Sequence, residues 1–275
     1  MIFARLRFVT VWLAGLAAAG LSGCQPASAP AVAISTAGVQ PSADIRDLSS
    51  VLQKCVRKGK LVETALRKHA GGLDAQLARL AVTGPTATPT LFPTADSRLA
   101  YWYNARAAWS LKLALLADCP DTIRRAKLED RPFPLDGREM TLAGIDAVLA
   151  GDPDWRAAVA APSIRRNEPG LPEQAFEAAA VRAEVERRLQ DYLGDTERFQ
   201  IDLPRKQVVF PPALWAVREK LIQLYRQKLG GIGATPITAL LPYARGRAER
   251  RLQDAIGYRV VPQRETGLIA LLTED

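Results

Sequence analysis

The sequence reads as a helix-rich α+β fold: a single domain of many helices with a few short strands and one β-hairpin. Three features predict it. Apolar residues recur at helical spacing over most of the chain. Short apolar runs flank turn-forming residues at Asp136-Gly137 and at Pro204-Arg205-Lys206. No internal repeat marks a solenoid.

The chain opens with an export signal, residues 1–23. Arg5 and Arg7 precede an uncharged apolar stretch over 8–21. That stretch suits a signal and is shorter than the roughly 20 apolar residues needed to span a bilayer. It ends in Leu21-Ser22-Gly23-Cys24, which resembles a bacterial lipobox. Small residues there admit a peptidase, and the Cys24 thiol is the nucleophile that takes up diacylglycerol. Two membrane signals already hold stably, so a multiply acylated cysteine needs no transmembrane helix. Gln25 follows the cysteine instead of Asp, which points to the outer membrane and a periplasm-facing domain. Residues 24–43 are rich in Ala, Pro, Ser and Thr and read as a tether. Fully extended, it would reach about 60 Å at ~3.1 Å per residue.

The domain is expected over 44–275, with a helical part at 44–93 and a second part at 94–275. Ile45, Leu48, Val51, Leu52 and Val56 share a helical face that Gly59 ends. Two short helices, 61–70 and 73–82, are divided by Gly71-Gly72, and 83–93 is a Pro/Thr loop. A long helix over 96–117 carries Trp102, Trp109, Leu113 and Leu116 on one stripe, with Asp96 or Ser97 as cap and Pro120 as stop. Residues 133–137 read as a strand and tight turn, and Thr141 caps a helix to Leu149. Residues 155–163 read as a buried strand, 165–172 as a polar loop and 173–193 as a helix. A hairpin spans 199–210, and a helix with proline at its start follows over 212–229. Gly230-Gly231-Ile232-Gly233 is a plain loop, because no strand leads into it and no Lys-Ser/Thr follows, as a phosphate cradle requires. Residues 237–256 are helical with Pro242 as kink or start, and 258–261 form a last strand.

Composition narrows the chemistry. The whole chain carries net charge +8; without the signal's two arginines it is +6 over 252 residues. That excess suits anionic envelope polymers or simply a solvated surface. His69 is the only histidine and no Cys-x-x-Cys occurs, so neither a metal site nor a cofactor motif is expected. Cys55 and Cys119 remain after lipidation. In an oxidising compartment they make a candidate disulfide, the other reading being two buried free thiols. Arg245, Arg247, Arg250 and Arg251 form a basic cluster with Glu249 among them; on a helix Arg247, Arg250, Arg251 and Asp254 share a face, which reads as a solvated, partly paired surface or else as a polyanion site. The aromatic interleaving that single-stranded nucleic acid requires is missing, so no nucleic-acid partner is expected.

Several segments resemble the uncharacterised domain-of-unknown-function family 547. Tyr101-Trp102-Tyr103-Asn104-Ala105 is similar to its Phe-Trp-Ile-Asn-x-Tyr-Asn-Ala helix. Cys119-Pro120-Asp121-Thr122-Ile123 is similar to a Tyr-Pro-x-x-Ser-Ile element, and Ile145-Asp146-Ala147-Val148-Leu149 to an Ile-Glu-His-x-Leu helix. Val208-Val209-Phe210-Pro211 and Tyr258 to Pro262 resemble its later strands. The resemblance covers roughly residues 99–268. Where the family offers His, Cys and Cys, this chain has Arg156, Ala161 and Arg166. The resemblance therefore implies a degenerate member, a non-catalytic binding protein with an envelope protein or anionic cell-wall partner. The alternative is an envelope hydrolase or transferase with a rearranged site. The candidate pocket comprises Trp102, Asn104, Asp146, Arg156 and Ser163. Convergence of Asn104, Asp146 and Ser163 would favour catalysis. Arg156 and Arg166 would turn the old pocket toward anions through guanidinium contacts. Catalytic residues cannot be named from the sequence.

The anchor is directly testable. Radiolabelled palmitate should enter the wild-type chain and not Cys24→Ser, and equal labelling of both would disprove lipidation at Cys24.

Overall fold

The computed structural model describes residues 30–120, 127–230, 233–263 and 268–272. The signal and Cys24 lie outside the described residues, as does most of the segment over 119–123 compared with the family. The fold is helix-rich α+β, as the sequence predicts.

The first layer is helical. Helix α1 (Arg46–Cys55) runs into a two-residue ladder, β1 (Val56–Arg57) on β2 (Lys60–Leu61). The turn between them places Lys58 at φ 50° and Gly59 at φ 74°. Helices α2 (Glu63–Lys68) and α3 (Ala70–Val82) meet at His69. Gly71 and Gly72 thus lie inside α3 and do not divide two helices. A Cβ on Gly72 would stand 3.3 Å from Val51 Cγ2, so the glycine lets α3 lie close to α1.

Helix α4 (Ala95–Leu116) is the centre of the molecule. Its cap is Thr94, whose hydroxyl accepts from Ser97 N while the Ser97 hydroxyl accepts from Thr94 N. Ser97 is the third residue of the helix, the capping-box partner and not the cap. The helix is buried on nearly every side: from Leu99 to Leu111 no residue is exposed beyond a tenth. Trp109 stacks on Phe133 at 4.1 Å between ring centroids.

Beyond α4, β3 (Phe133–Leu135) and β4 (Arg138–Met140) form a hairpin about Asp136 and Gly137, both at positive φ. Asp136 is buried. Its carboxylate accepts N–H groups from Thr86 and Ala87, each at 2.8 Å, so the hairpin turn also holds the loop over 84–88. Helix α5 (Leu142–Ala150) starts at Thr141 as expected, its hydroxyl accepting from Gly144 N. Residues 155–163 are not a strand: α6 (Arg156–Val159) is a single helical turn. The polar loop over 165–172 is buried from Asn167 onward. Helix α7 (Val181–Gly194) begins eight residues later than the sequence suggests.

The second layer holds a three-stranded sheet. Strand β5 (Gln200–Asp202) pairs antiparallel with β6 (Gln207–Phe210), Ile201 opposite Val208. The last strand, β7 (Arg259–Pro262), pairs parallel with β6. Helix α8 (Pro212–Leu229) has the expected bounds and ends at Gly230 with φ 60°. The expected helix over 237–256 is broken by Pro242 and Gly246 into α9 (Pro236–Leu240), a 3₁₀ turn at Leu241–Tyr243 and α10 (Gly246–Asp254).

Two apolar clusters result, one around α4 and one around α8 and the sheet. Helix α6 joins them, with Ala157 in the first and Val159 in the second. So does α7, through Val185 in the first and Leu189 in the second. The chain's end adds a tie: Leu61 N donates to Ala270 O at 2.9 Å and Ala270 N to Ile164 O at 2.8 Å.

The domain also reaches further toward the N-terminus than its composition implies. Val32 is buried, its N–H bonded to Pro132 O at 2.8 Å, and Ser42 N donates to Thr83 Oγ1 at 3.0 Å. Residues 32–43 are therefore docked and not a free tether, because Val32 and Ile34 find apolar cover on the first cluster.

Cys55 and Cys119 are buried free thiols in the structure, and the candidate disulfide is not formed. Burial pushes each thiol up to about 11, with the Glu63 carboxylate reinforcing the effect at Cys119. At pH 8 about one thiol in a thousand would then be ionised. Both should react with a thiol reagent at pH 8 only after denaturation. Rapid labelling of the native chain, or a mass lighter by two hydrogens, would overturn this assignment.

Candidate functional site

The candidate pocket does not assemble as one site. Asn104 is buried, and both ends of its carboxamide are used: Nδ2 donates to Phe176 O at 2.9 Å, and Oδ1 accepts from Phe176 N at 2.8 Å. Trp102 is buried edge-on to Tyr101, with ring centroids 5.0 Å apart. Ser163 closes a turn, its hydroxyl accepting from Arg165 N at 3.0 Å and its own N–H reaching Pro169 O at 2.9 Å. Arg156 turns back onto Asp154, with Nε 2.9 Å from Oδ1 and Nη2 2.9 Å from Oδ2. Its guanidinium lies 5.6 Å from the Tyr243 ring centroid. Neither Arg156 nor Arg166 faces the hollow that Asp146 lines.

A different set of residues fills that region. A hollow of about 300 Å³ lies at the seam of the two clusters, between α4, α5, α6 and α8. Ala161 is part of its wall, as are Ala143, Ala213 and Ala216. Arg106 projects into it from α4. Its Nε donates to Asp146 Oδ1 at 2.5 Å, its Nη1 to Pro162 O, and Glu168 lies 3.8 Å from Nη2. Glu168 in turn lies 3.4 Å from Arg165, which also pairs with Glu129. The result is a chain of alternating charge: Asp146, Arg106, Glu168, Arg165, Glu129. Burial opposes the Arg106 charge, yet Asp146, Glu168 and Glu129 together hold its pKa above the ordinary value. Three carboxylates thus face two guanidinium groups, a net charge of −1, and the expected preference of this pocket for anions is not what its geometry offers.

The sequence does contain a signal for this arrangement. Trp102, Arg106, Trp109 and Leu113 follow a four-three-four spacing, so Arg106 lies on the apolar stripe of α4. Arg188 does the same among Val181, Val185, Leu189 and Tyr192 on α7. An arginine inside an apolar stripe has to be paired or hydrogen-bonded within the fold. A search by residue type, looking for nucleophiles and bases, passes over it.

Among the described residues, no group of three His, Cys, Asp or Glu side chains stands close enough to hold a metal ion. The chain matches no family model, no curated protein and no solved structure. The resemblance to family 547 therefore rests on the short segments alone.

Asn104 should prove structural. Asn104→Ala leaves the buried N–H and C=O of Phe176 without partners, and each such group costs about 1–3 kcal/mol. Urea unfolding of the variant should show a stability loss of about 2–4 kcal/mol. An unchanged midpoint would mean that the Asn104 clamp does not hold the loop.

Proposed function

We propose that the chain is a membrane-anchored lipoprotein of the cell envelope, facing the periplasm, that binds a partner and carries out no chemistry of its own. The observation that carries this reading is the commitment of its polar candidates. Asn104 is spent on Phe176, Ser163 on a turn, and Asp146 on the guanidinium of Arg106. A carboxylate held by a fixed cation is poorly placed to shuttle protons, and an alanine at 161 offers no nucleophile. The lipobox supports the anchor. No helix among the described residues is long and apolar enough to cross a membrane.

Docking of residues 32–43 gives the anchor a physical consequence. Seven residues lie between Cys24 and Val32, eight steps that would span about 25 Å if extended. A short leash and a positive surface hold the domain close to anionic envelope material.

The test uses the purified chain with isolated cell-wall polymer. The chain should sediment with the polymer without degrading it, and binding should weaken as salt rises. Turnover that disappears in Asp146→Asn or Ser163→Ala would establish the alternative, an envelope hydrolase with a rearranged site.

A further inference from the structure

A second polar cavity, about 460 Å³, opens between the Lys58–Gly59 turn, the segment over 169–173 and α7. Arg188 and Tyr192 line it one helical turn apart, so their side chains share a face. They are 6% and 1% exposed.

Arg188 is paired differently from the arginines of the seam. Its Nε donates to Ala160 O and its Nη2 to Gly170 O, both at 2.7 Å. A guanidinium has five N–H donors, and these bonds use two. No hydrogen bond runs from Nη1 to a described residue, and no carboxylate among them stands within ion-pair distance of the group. The Phe176 ring, 5.5 Å away, gives only a weak cation–π contact. Burial pulls the Arg188 pKa down to about 10. Tyr192 lines the same cavity, and its hydroxyl is buried with no hydrogen-bond partner. The cavity wall thus carries a guanidinium with donors to spare and no countercharge, and a tyrosine whose buried hydroxyl lacks an acceptor.

The other charged groups of the cavity do not fill that need. Glu173 accepts the Lys58 N–H at 2.8 Å, and Asp191 is held by Arg187 at 2.6 Å. Arg198 lies 3.3 Å from Asp195. Lys58 makes no ion pair among the described residues and completes the basic rim. The wall is closely packed. A Cβ on Gly170 would fall 2.5 Å from Gly59 O, so the two backbones are in direct contact and only glycine fits.

We propose that this cavity binds a compact oxyanion, a carboxylate or a phosphate, held by Arg188 and the Tyr192 hydroxyl with Lys58 at the rim. An anionic oxygen would supply the countercharge that Arg188 lacks and the acceptor that the Tyr192 hydroxyl lacks, through charge-assisted hydrogen bonds. The site gives the binding function a ligand class and rests on that function for its cellular role; the binding itself is measurable apart from it.

The experiment titrates the full exported chain, in mild detergent, at constant ionic strength. N-acetylalanine represents a polymer carboxylate and glycerol 3-phosphate a lipid headgroup phosphate, with chloride as control. Saturable binding by calorimetry and a raised melting midpoint are expected for at least one of the two, and the stronger arm identifies the source. Tyr192→Phe removes only the hydroxyl and should weaken binding about tenfold, as loss of a hydrogen bond to a charged group does. Lys58→Ala should weaken it less. Arg188→Met should abolish it, and Tyr192→Phe keeps the test decisive if that variant fails to fold. No saturation by either probe, equal binding by chloride, or unchanged affinity in Tyr192→Phe would overturn the site. If the polymer still sediments with a chain that binds neither probe, the site fails and the binding function stands.

Discussion

The fold depends on the burial of α4. A helix enclosed on nearly all sides cannot leave its polar side chains to water, so most find a partner in the protein, the Trp109 indole N–H being an exception. Tyr101 donates to Leu80 O at 3.3 Å and Tyr103 to Ala157 O at 2.6 Å. Asn104 takes both backbone groups of Phe176, and Arg106 takes Asp146 and Pro162 O. Four side chains of one helix thus fix the end of α3, the single turn α6, the segment before α7 and the seam. Irregular backbone over 160–180 is ordered because α4 needs its carbonyls, and that backbone needs donors in return.

The same exchange explains which parts of the sequence were legible. Helix α8 and the β5–β6 hairpin obey local rules, proline at a helix start and a polar turn between apolar runs, and both stand where those rules place them. The Thr141 cap is equally local. Residues 173–180 have good helical composition, yet Asn104 draws off the N–H and C=O of Phe176, and tertiary bonding overrides propensity. Gly71-Gly72 looks like a break, yet both lie inside α3, and Gly72 serves the close packing of α3 on α1. The supposed tether held Val32 and Ile34, two apolar residues that composition diluted among Ala, Pro and Ser.

The candidate site was less legible for a related reason. Reading for nucleophiles and bases selects residues that appear reactive in isolation, and here those residues are structural. The informative residues were charged ones placed where only apolar ones belong. Arg106 and Arg188 sit at core positions of their helices, and burying either guanidinium carries a desolvation cost that its surroundings must offset.

The two arginines meet that cost in different ways. Around Arg106, carboxylates on three segments overcome desolvation and raise its pKa. Around Arg188, two backbone carbonyls supply dipoles but no countercharge, and desolvation prevails. A stability argument alone does not explain why such a position keeps an arginine: a leucine or methionine would fill similar space without the desolvation cost, leaving only the Ala160 and Gly170 carbonyls to be satisfied. The charge acquires a purpose once an acceptor reaches it from outside. Tyr192, with its own hydroxyl unpartnered one turn away, faces the same cavity, and the contact of Gly59 on Gly170 holds that cavity's wall in place. At the seam the arginine finds its carboxylates within the fold, whereas the cavity over α7 leaves an arginine without a countercharge and a hydroxyl without an acceptor, which is why the proposed ligand site lies there.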